Sequence, residues 1–127
     1  MEYILDTHVL LWTMFDSSKL SPSTQRIILD RRVHKFISIS SMWEISIKNR
    51  VGKLPLPDGL PGVFSEVEMN GFGIAGINQE CLEIYNTLPL LHRDPFDGII
   101  VATALLKNMT IITADENIQK YDVPWVW

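Results

Sequence analysis

Two aspartates three positions apart, Asp94 and Asp97, stand at the front of the apolar run "DPFDGIIVATALLKN". Asp94 followed by Pro95 is a helix start, with Asp at the cap and Pro at the first helical position. Asp97 then falls in the first turn, where a carboxylate can reach back to the cap. On a 100° wheel it lies between Ile100 and Val101, one turn before both, with Ala104 two turns on. Apolar residues cover nearly the whole circumference, so the helix is expected to be buried. A carboxylate carried into that arc needs a partner or a cation. No Arg or Lys stands in an obvious place to pair with it. Asp97 therefore reads as a metal ligand. Asp94 reads as the cap, with a ligand or supporting role beside it.

Three further acids bear on this reading. Asp6 directly follows the apolar stretch "YIL", and Asp115 follows "TIIT" after one alanine. Each would lie at the carboxyl end of a strand, and each also serves as an N-cap for the helix that follows. Glu44, in "SMWEISIK", is surrounded by Met42, Trp43, Ile45 and Ile47. It reads either as a first-turn carboxylate, as an i,i+4 partner of Lys48, or as a side chain aimed at a ligand. Thr113 stands two residues before Asp115 and could orient a water or a carboxylate. His92 and Arg93 precede the Asp94–Asp97 pair, and Arg93 is either a phosphate contact or a solvated loop residue. His8 has no HxxxH or CxxC partner spacing, which argues against zinc.

Acids gathered in this way suit hard divalent cations. Mg²⁺ and Mn²⁺ take carboxylate oxygens and water in an octahedral shell. Such an ion lowers the pKa of water and offsets charge on a phosphate. Acids packed so closely repel one another, so the site costs stability when no cation is bound.

The elements that must position these residues alternate. "EYIL", "KFISIS", "FGIAGI", "TIIT" and "VPWVW" read as strands. Helices are expected over "THVLLWTMF", over "PSTQRIILDRR" with Ile27, Ile28 and the stem of Arg31 near one face, and over "SSMWEISIKNRVGKL". The last of these is capped by Ser40 or Ser41 and closed by Gly52. "PLPDGLPG" reads as a loop and "VFSEVEMN" as a short helix. "NQECLEIYNTL" is a helix capped by Asn78, and "ADENIQKY" another short one. Six of the seven glycines fall between positions 52 and 76, and three of the seven prolines between 55 and 61. That predicts a mobile, loop-rich middle rather than a domain boundary. Alternation of strand and helix argues an α/β domain with a mostly parallel sheet and right-handed crossovers. Ligands gather at the carboxyl ends of such strands.

The chain has 127 residues, 46% apolar and 20% charged. This fits one soluble domain spanning residues 1–127, able to bury roughly two-thirds of its unfolded surface. No apolar run reaches the ~18 residues of a membrane span. The start "MEYILDTH" has no basic region, which argues against a secretory signal. Cys81 is the only cysteine, so a reducing cytoplasm is the expected home. A net charge of −4 counts mildly against a nucleic-acid partner held by phosphates. Two local basic groups stand out: Arg26, Arg31, Arg32, His34 and Lys35, and then Lys48, Arg50 and Lys53. Each also reads as a solvated face.

Taken together, "ILDTHVLLW", "ISISSMWEISIKNRVGKL", "LPLLHRDPFDGIIVATAL" and "TIITADENIQKY" resemble the PIN-domain nucleases, in particular the VapC-type toxins of bacterial toxin–antitoxin pairs. The resemblance covers nearly the whole chain in order. It implies a three-layer α/β/α fold with a parallel sheet of about five strands. It also implies a Mg²⁺- or Mn²⁺-dependent endoribonuclease, inhibited by a small antitoxin protein and often dimeric, as homodimer or hetero-oligomer. The family's acids fall on Asp6, Glu44, Asp97 and Asp115. Gly98 stands where close relatives usually carry Arg, which weakens the helix by ~1 kcal/mol relative to Ala and removes a basic contact to RNA. Val63, Phe64, Val67 and Met69, with Trp12 and Met14, are candidates for an apolar groove that takes an antitoxin helix. The competing reading is a PIN-like module that binds RNA or protein without cutting. A haloacid-dehalogenase-type phosphotransferase is disfavoured, since His8 stands where its second Asp belongs. A response-regulator receiver is disfavoured because Ala114 and Asp115 follow the late strand where a lysine belongs.

Overall fold

The computed structural model describes residues 1–127. Five strands form one sheet, β1 (Glu2–Leu5), β2 (His34–Ser38), β3 (Gly73–Ala75), β4 (Thr110–Ile112) and β5 (Trp125–Val126). Their order is β3-β2-β1-β4-β5, and every pairing is parallel. Seven helices surround the sheet: α1 (Thr7–Phe15), α2 (Pro22–Leu29), α3 (Ile39–Arg50), α4 (Gly59–Met69), α5 (Gln79–Thr87), α6 (Pro95–Lys107) and α7 (Glu116–Gln119). This is the three-layer α/β/α arrangement expected.

Parallel strands need helical crossovers, and those helices cover both faces of the sheet. Register decides which side chains go where. Leu5 pairs with Ile37 and with Ile112, so the three form one row across the central strands. That row packs into a core with Val9 and Leu10 of α1, Ile28 of α2, Met42 and Ile45 of α3, and Val63 and Val67 of α4. One residue earlier, Ile4 pairs with Phe36 and Ile111 and points to the opposite face. There it meets Ile100, Val101 and Ala104 of α6 and Ile118 of α7. Cys81 of α5 packs on Ile99 and Ala102 from outside. Helix α6 is thus enclosed between the sheet and α5. Every residue from Asp97 to Ala104 is buried, as its apolar circumference predicts.

Several boundaries differ from expectation for local reasons. Helix α3 is capped by Ser38, the last residue of β2, whose Oγ accepts from the Ser40 backbone N–H at 3.0 Å. Strand and helix adjoin without a loop, so the cap lies two residues ahead of Ser40. Helix α2 stops at Leu29, and Arg31 lies beyond it. The Gly/Pro-rich middle is not all loop: α4 begins at Gly59, which has φ +66°, and Pro61 sits in its first turn where a missing N–H costs nothing. Val63 and Val67 are then core residues, 2% exposed, and Val63 also lines a small pocket with Met14 and Leu56. Trp12 packs against Trp127.

Gly98 has a packing reason. A Cβ at this position would meet Cε2 of the Tyr85 ring at 2.4 Å. The ring of α5 lies directly on the backbone of α6, and the absent side chain makes that approach possible. Two effects oppose each other in Gly98→Ala. Helix propensity favours Ala by ~1 kcal/mol, while displacing the ring costs about 1–3 kcal/mol. The variant is expected to unfold at lower temperature than wild type. In a Tyr85→Ala background the same change is expected to raise the melting temperature. Calorimetry of the four proteins gives the answer, and additive effects would show that the ring contact is unimportant.

Candidate metal centre

In the observed strand order, connections run one way from β1 through β2 to β3 and then cross to β4 on the other side. The crevice between β1 and β4, at the carboxyl edge, is the switch point where ligands bind in open α/β sheets. Asp6 follows β1 and Asp115 follows β4, so both acids sit at its mouth.

Each is anchored as a helix cap. Asp6 Oδ1 accepts the Val9 backbone N–H at 2.8 Å. Asp115 Oδ1 accepts the N–H of Asn117 at 2.8 Å. The buried Thr113 hydroxyl joins them: it donates to Asp6 Oδ2 and accepts the Asp115 N–H at 2.9 Å. Thr113 therefore fixes one acid through its carboxylate and the other through its backbone, which is the orienting role the sequence suggested. Burial pushes the Asp6 carboxyl above its ordinary value, against the lowering effect of the hydrogen bonds from Thr113 and Val9.

Asp94 caps α6, its Oδ1 accepting the N–H groups of Phe96 at 2.9 Å and Asp97 at 3.2 Å. Asp97 itself is 8% exposed. Its carboxyl is pushed up to about 7, chiefly by burial and by repulsion from Asp94. The hydrogen bond to His92 lowers it, and Asp6 and Asp115 raise it further. Asp6, Asp97 and Asp115 therefore share one electrostatic field, as expected of acids at one sheet edge.

Sequence reasoning did not find the partner of Asp97. It is His92, whose Nε2 lies 3.0 Å from Asp97 Oδ2. Nitrogen and oxygen atoms of His92, Asp94 and Asp97 all lie within 4.8 Å of one another. The only available signal was His92 itself, placed five residues before Asp97 in a proline-flanked loop.

Glu44 stands apart from this group. It lies in the middle of α3 rather than in its first turn, and is 6% exposed. Its Oε2 meets Lys48 Nζ at 3.0 Å, the i,i+4 pair anticipated. Its Oε1 is buried with no hydrogen-bond partner. Glu44, Lys48, Arg93, Asp94 and Phe96 line one open cleft of about 420 Å³, so Glu44 faces the front of α6. Arg93 is exposed on the rim.

Buried hydroxyls tie the helix starts together. Thr7 Oγ1 donates to Ser41 Oγ at 2.9 Å, and Ser40 Oγ donates to the Phe96 carbonyl at 3.4 Å. These bonds connect α1 with α3 and α3 with α6. The first basic group is not part of the site. Lys35 is buried, donating to the carbonyls of Ile27 and Asp30, and Arg32 is paired with Asp30.

The residues present fit a hard divalent cation. A buried carboxylate oxygen without a partner costs energy, and the Asp97 carboxyl is pushed up to about 7 by burial first and by Asp94 next. A cation beside either group would offset its buried negative charge.

Stability depends on pH through the same group. The unfolded chain releases the Asp97 proton near pH 3.8, and the folded chain retains it to about 7. Between those values the folded state binds more protons, so the contribution of Asp97 falls as pH rises and is lost above about 7. Thermal unfolding of metal-free protein, wild type against Asp97→Asn, is the measurement. The stability of wild type relative to Asp97→Asn is expected to fall steadily from pH 4 to pH 7. A constant difference would show that Asp97 is not protonated in this fold.

A PIN domain family model matches residues 3–124. No curated protein sequence matches the chain. The fold is similar to a chain of VapBC2 from Rickettsia felis, solved bound to a DNA fragment from its promoter, with a TM-score of 0.76, 17% identity, and coverage of 100% of this chain and 99% of that one. It is similar to a chain of VapBC-1 from nontypeable Haemophilus influenzae, with a TM-score of 0.65, 20% identity, and coverage of 99% and 97%. FitAcB from Neisseria gonorrhoeae gives 0.67, 18%, and 98% and 96%.

Proposed function

This chain belongs to the PIN domain family, a family of nucleases, and from that premise we propose that it is a metal-dependent endoribonuclease, the VapC-type toxin of a toxin–antitoxin pair. The observation that carries the reading is the set of acids at the switch point. Asp6 and Asp115 repel the Asp97 carboxylate there, and Glu44, with one unpaired oxygen, shares a cleft with Asp94.

Asp6, Glu44, Asp97 and Asp115 would hold the ion, Mg²⁺ or Mn²⁺. When bound, it supplies a lowered pKa for the attacking water and charge compensation on the phosphodiester. The chain's own residues do the rest. Thr113 holds Asp6 and Asp115 in fixed orientations. Asp94 holds the start of α6, and so the backbone that carries Asp97. Lys48 and Arg93 line the open cleft and would meet the phosphates of a single strand. The cleft is wide and shallow, which suits a polymer lying across it better than an enclosed small molecule.

Cleavage of a mixed small-RNA pool by antitoxin-free protein tests this reading, with Mn²⁺, with Mg²⁺ and with EDTA. Wild type is expected to cut only with a metal. Folded Asp97→Asn is expected to lose cutting entirely. Asp94→Asn is expected to retain part of it, because Asn caps a helix nearly as well. Full activity in Asp97→Asn would remove it from the site. No cutting by folded wild type with either metal would favour a module that binds RNA or protein without cleaving.

The partner reading also has support. Ile39, Trp43, Ile47 and Val51 are all exposed at four-residue intervals down α3. Apolar side chains recurring one turn apart on a solvent-facing helix are the kind of surface a partner covers. We assign this row to the antitoxin or to a second copy of the toxin. Ile47→Glu is expected to weaken that association by at least about tenfold, since a charge would be buried unpaired. Light scattering of the variant, alone and with the antitoxin, reports it. Unchanged assembly would place the interface elsewhere.

A further inference from the structure

His92 has no role in the four-acid scheme, yet it lies directly against Asp97. Its Nε2 and Asp97 Oδ2 are 3.0 Å apart. In an octahedral shell with ligands at about 2.1 Å, neighbouring donors stand about 3.0 Å apart. The two atoms are therefore spaced as adjacent ligands of a single ion without any movement. Asp94 extends the group. Its Oδ1 is committed to two backbone N–H groups, which leaves Oδ2 free, and its donor lies within 4.8 Å of the other two.

The loop that carries His92 is held in place. The Tyr121 hydroxyl lies against the backbone of His92 and Leu91. The imidazole lines a cavity of about 160 Å³ with Tyr85, Gly98 and Tyr121. His92 thus lies among residues of α5, of α6 and of the segment after α7. A second and separate observation points to a cation here. Glu44, 6% exposed, has an oxygen with no partner and shares a cleft with Asp94.

We infer that His92 is a nitrogen ligand that shares an ion with Asp97, and that the centre therefore favours a first-row transition ion over Mg²⁺. This rests on the metal-dependent reading above and adds a ligand to it. Coordination uses the Nε2 lone pair and places the ring proton on Nδ1. Imidazole is a poor donor to Mg²⁺, which prefers oxygen, and a good one to transition ions. A site of carboxylates alone would not discriminate in this way.

Pulsed electron paramagnetic resonance of the full chain loaded with Mn²⁺ tests the assignment. Wild type is expected to show the hyperfine coupling of a directly bound ¹⁴N, replaced by that of ¹⁵N when the protein is made with ¹⁵N-histidine. His92→Gln is expected to lose the nitrogen coupling, and to bind Mn²⁺ about 10–100-fold more weakly by calorimetry. Its affinity for Mg²⁺ should change by less than about threefold. Circular dichroism checks its fold, and the labelled wild type reports nitrogen ligation even where the variant fails to fold. Bound Mn²⁺ without nitrogen coupling would overturn the role of His92 and leave the metal-dependent reading standing. Coupling that survives in His92→Gln would overturn it too and point to His8, the other imidazole at this edge, beside Asp6 and Asp115. No Mn²⁺ binding by wild type would overturn both.

Discussion

Carboxylates taken out of water beside one another repel, and the carboxyl edge of this sheet is arranged around that repulsion. Asp6 and Asp97 are both buried, and both carboxyls are raised, first of all by burial. Few basic side chains are near. Lys48 answers one oxygen of Glu44, and His92 one oxygen of Asp97. A sheet edge with no functional demand would place Asn or Ser at such positions, which cap helices as well without the charge. Strand order sets the rest: only because β1 and β4 are neighbours do residues 6 and 113–115 meet across the length of the chain.

How the molecule tolerates this is visible in its hydrogen bonds. Thr113 gives its proton to Asp6 and takes one from the Asp115 backbone, so a neutral group separates two acids while fixing both. The hydroxyls of Thr7, Ser38, Ser40 and Ser41 fill the surrounding space with short, mutually bonded side chains. They allow the N-termini of α1, α3 and α6 to converge without apolar bulk between them. Those N-termini carry partial positive charge, worth about 0.3–1 kcal/mol each to a nearby carboxylate.

What could be read from sequence follows from how local each signal is. The run Ile99–Ala104 is apolar on every side, and a helix with no polar face must be enclosed; it lies between sheet and α5. The strands were legible as short apolar runs bounded by turn residues. The start of α3 was misplaced because Ser38, Ser40 and Ser41 are equally good caps in sequence, and only the end of β2 pairing decides among them. Helix α4 was shortened because "PDGLPG" carries strong turn residues, although Pro61 and Gly59 are both tolerated in a first turn. Gly98 was read for its cost to the helix, since the Tyr85 ring that requires it comes from another element. The His92–Asp97 pair was missed for a related reason. It depends on a loop closing back over the start of α6, held by Tyr121 from the far end of the chain, and no local pattern encodes that.

The sequence left two readings open for Asp6, Asp94 and Asp115, helix cap or ligand, and the geometry shows all three as caps. In all three, Oδ1 accepts backbone N–H groups from the first turn of a helix. A carboxylate has two oxygens, and capping uses one. The cap fixes the side chain's rotamer and supplies a share of positive charge from the helix end, and in Asp6 the second oxygen is held in turn by the Thr113 hydroxyl. A free surface aspartate would have to lose rotamer entropy on meeting an ion, whereas a capping aspartate lost that freedom when the chain folded. Three helices begin at one edge of the sheet, and each start delivers an acid already held in position. Asp97 and Glu44 differ in having no such anchor. They are the acids whose charge is least compensated by backbone, and each meets a basic side chain on one oxygen, His92 and Lys48, where Asp6 meets the neutral Thr113 hydroxyl. The caps thus form a rigid frame, and the uncapped acids are the part of the cluster that a cation would change most.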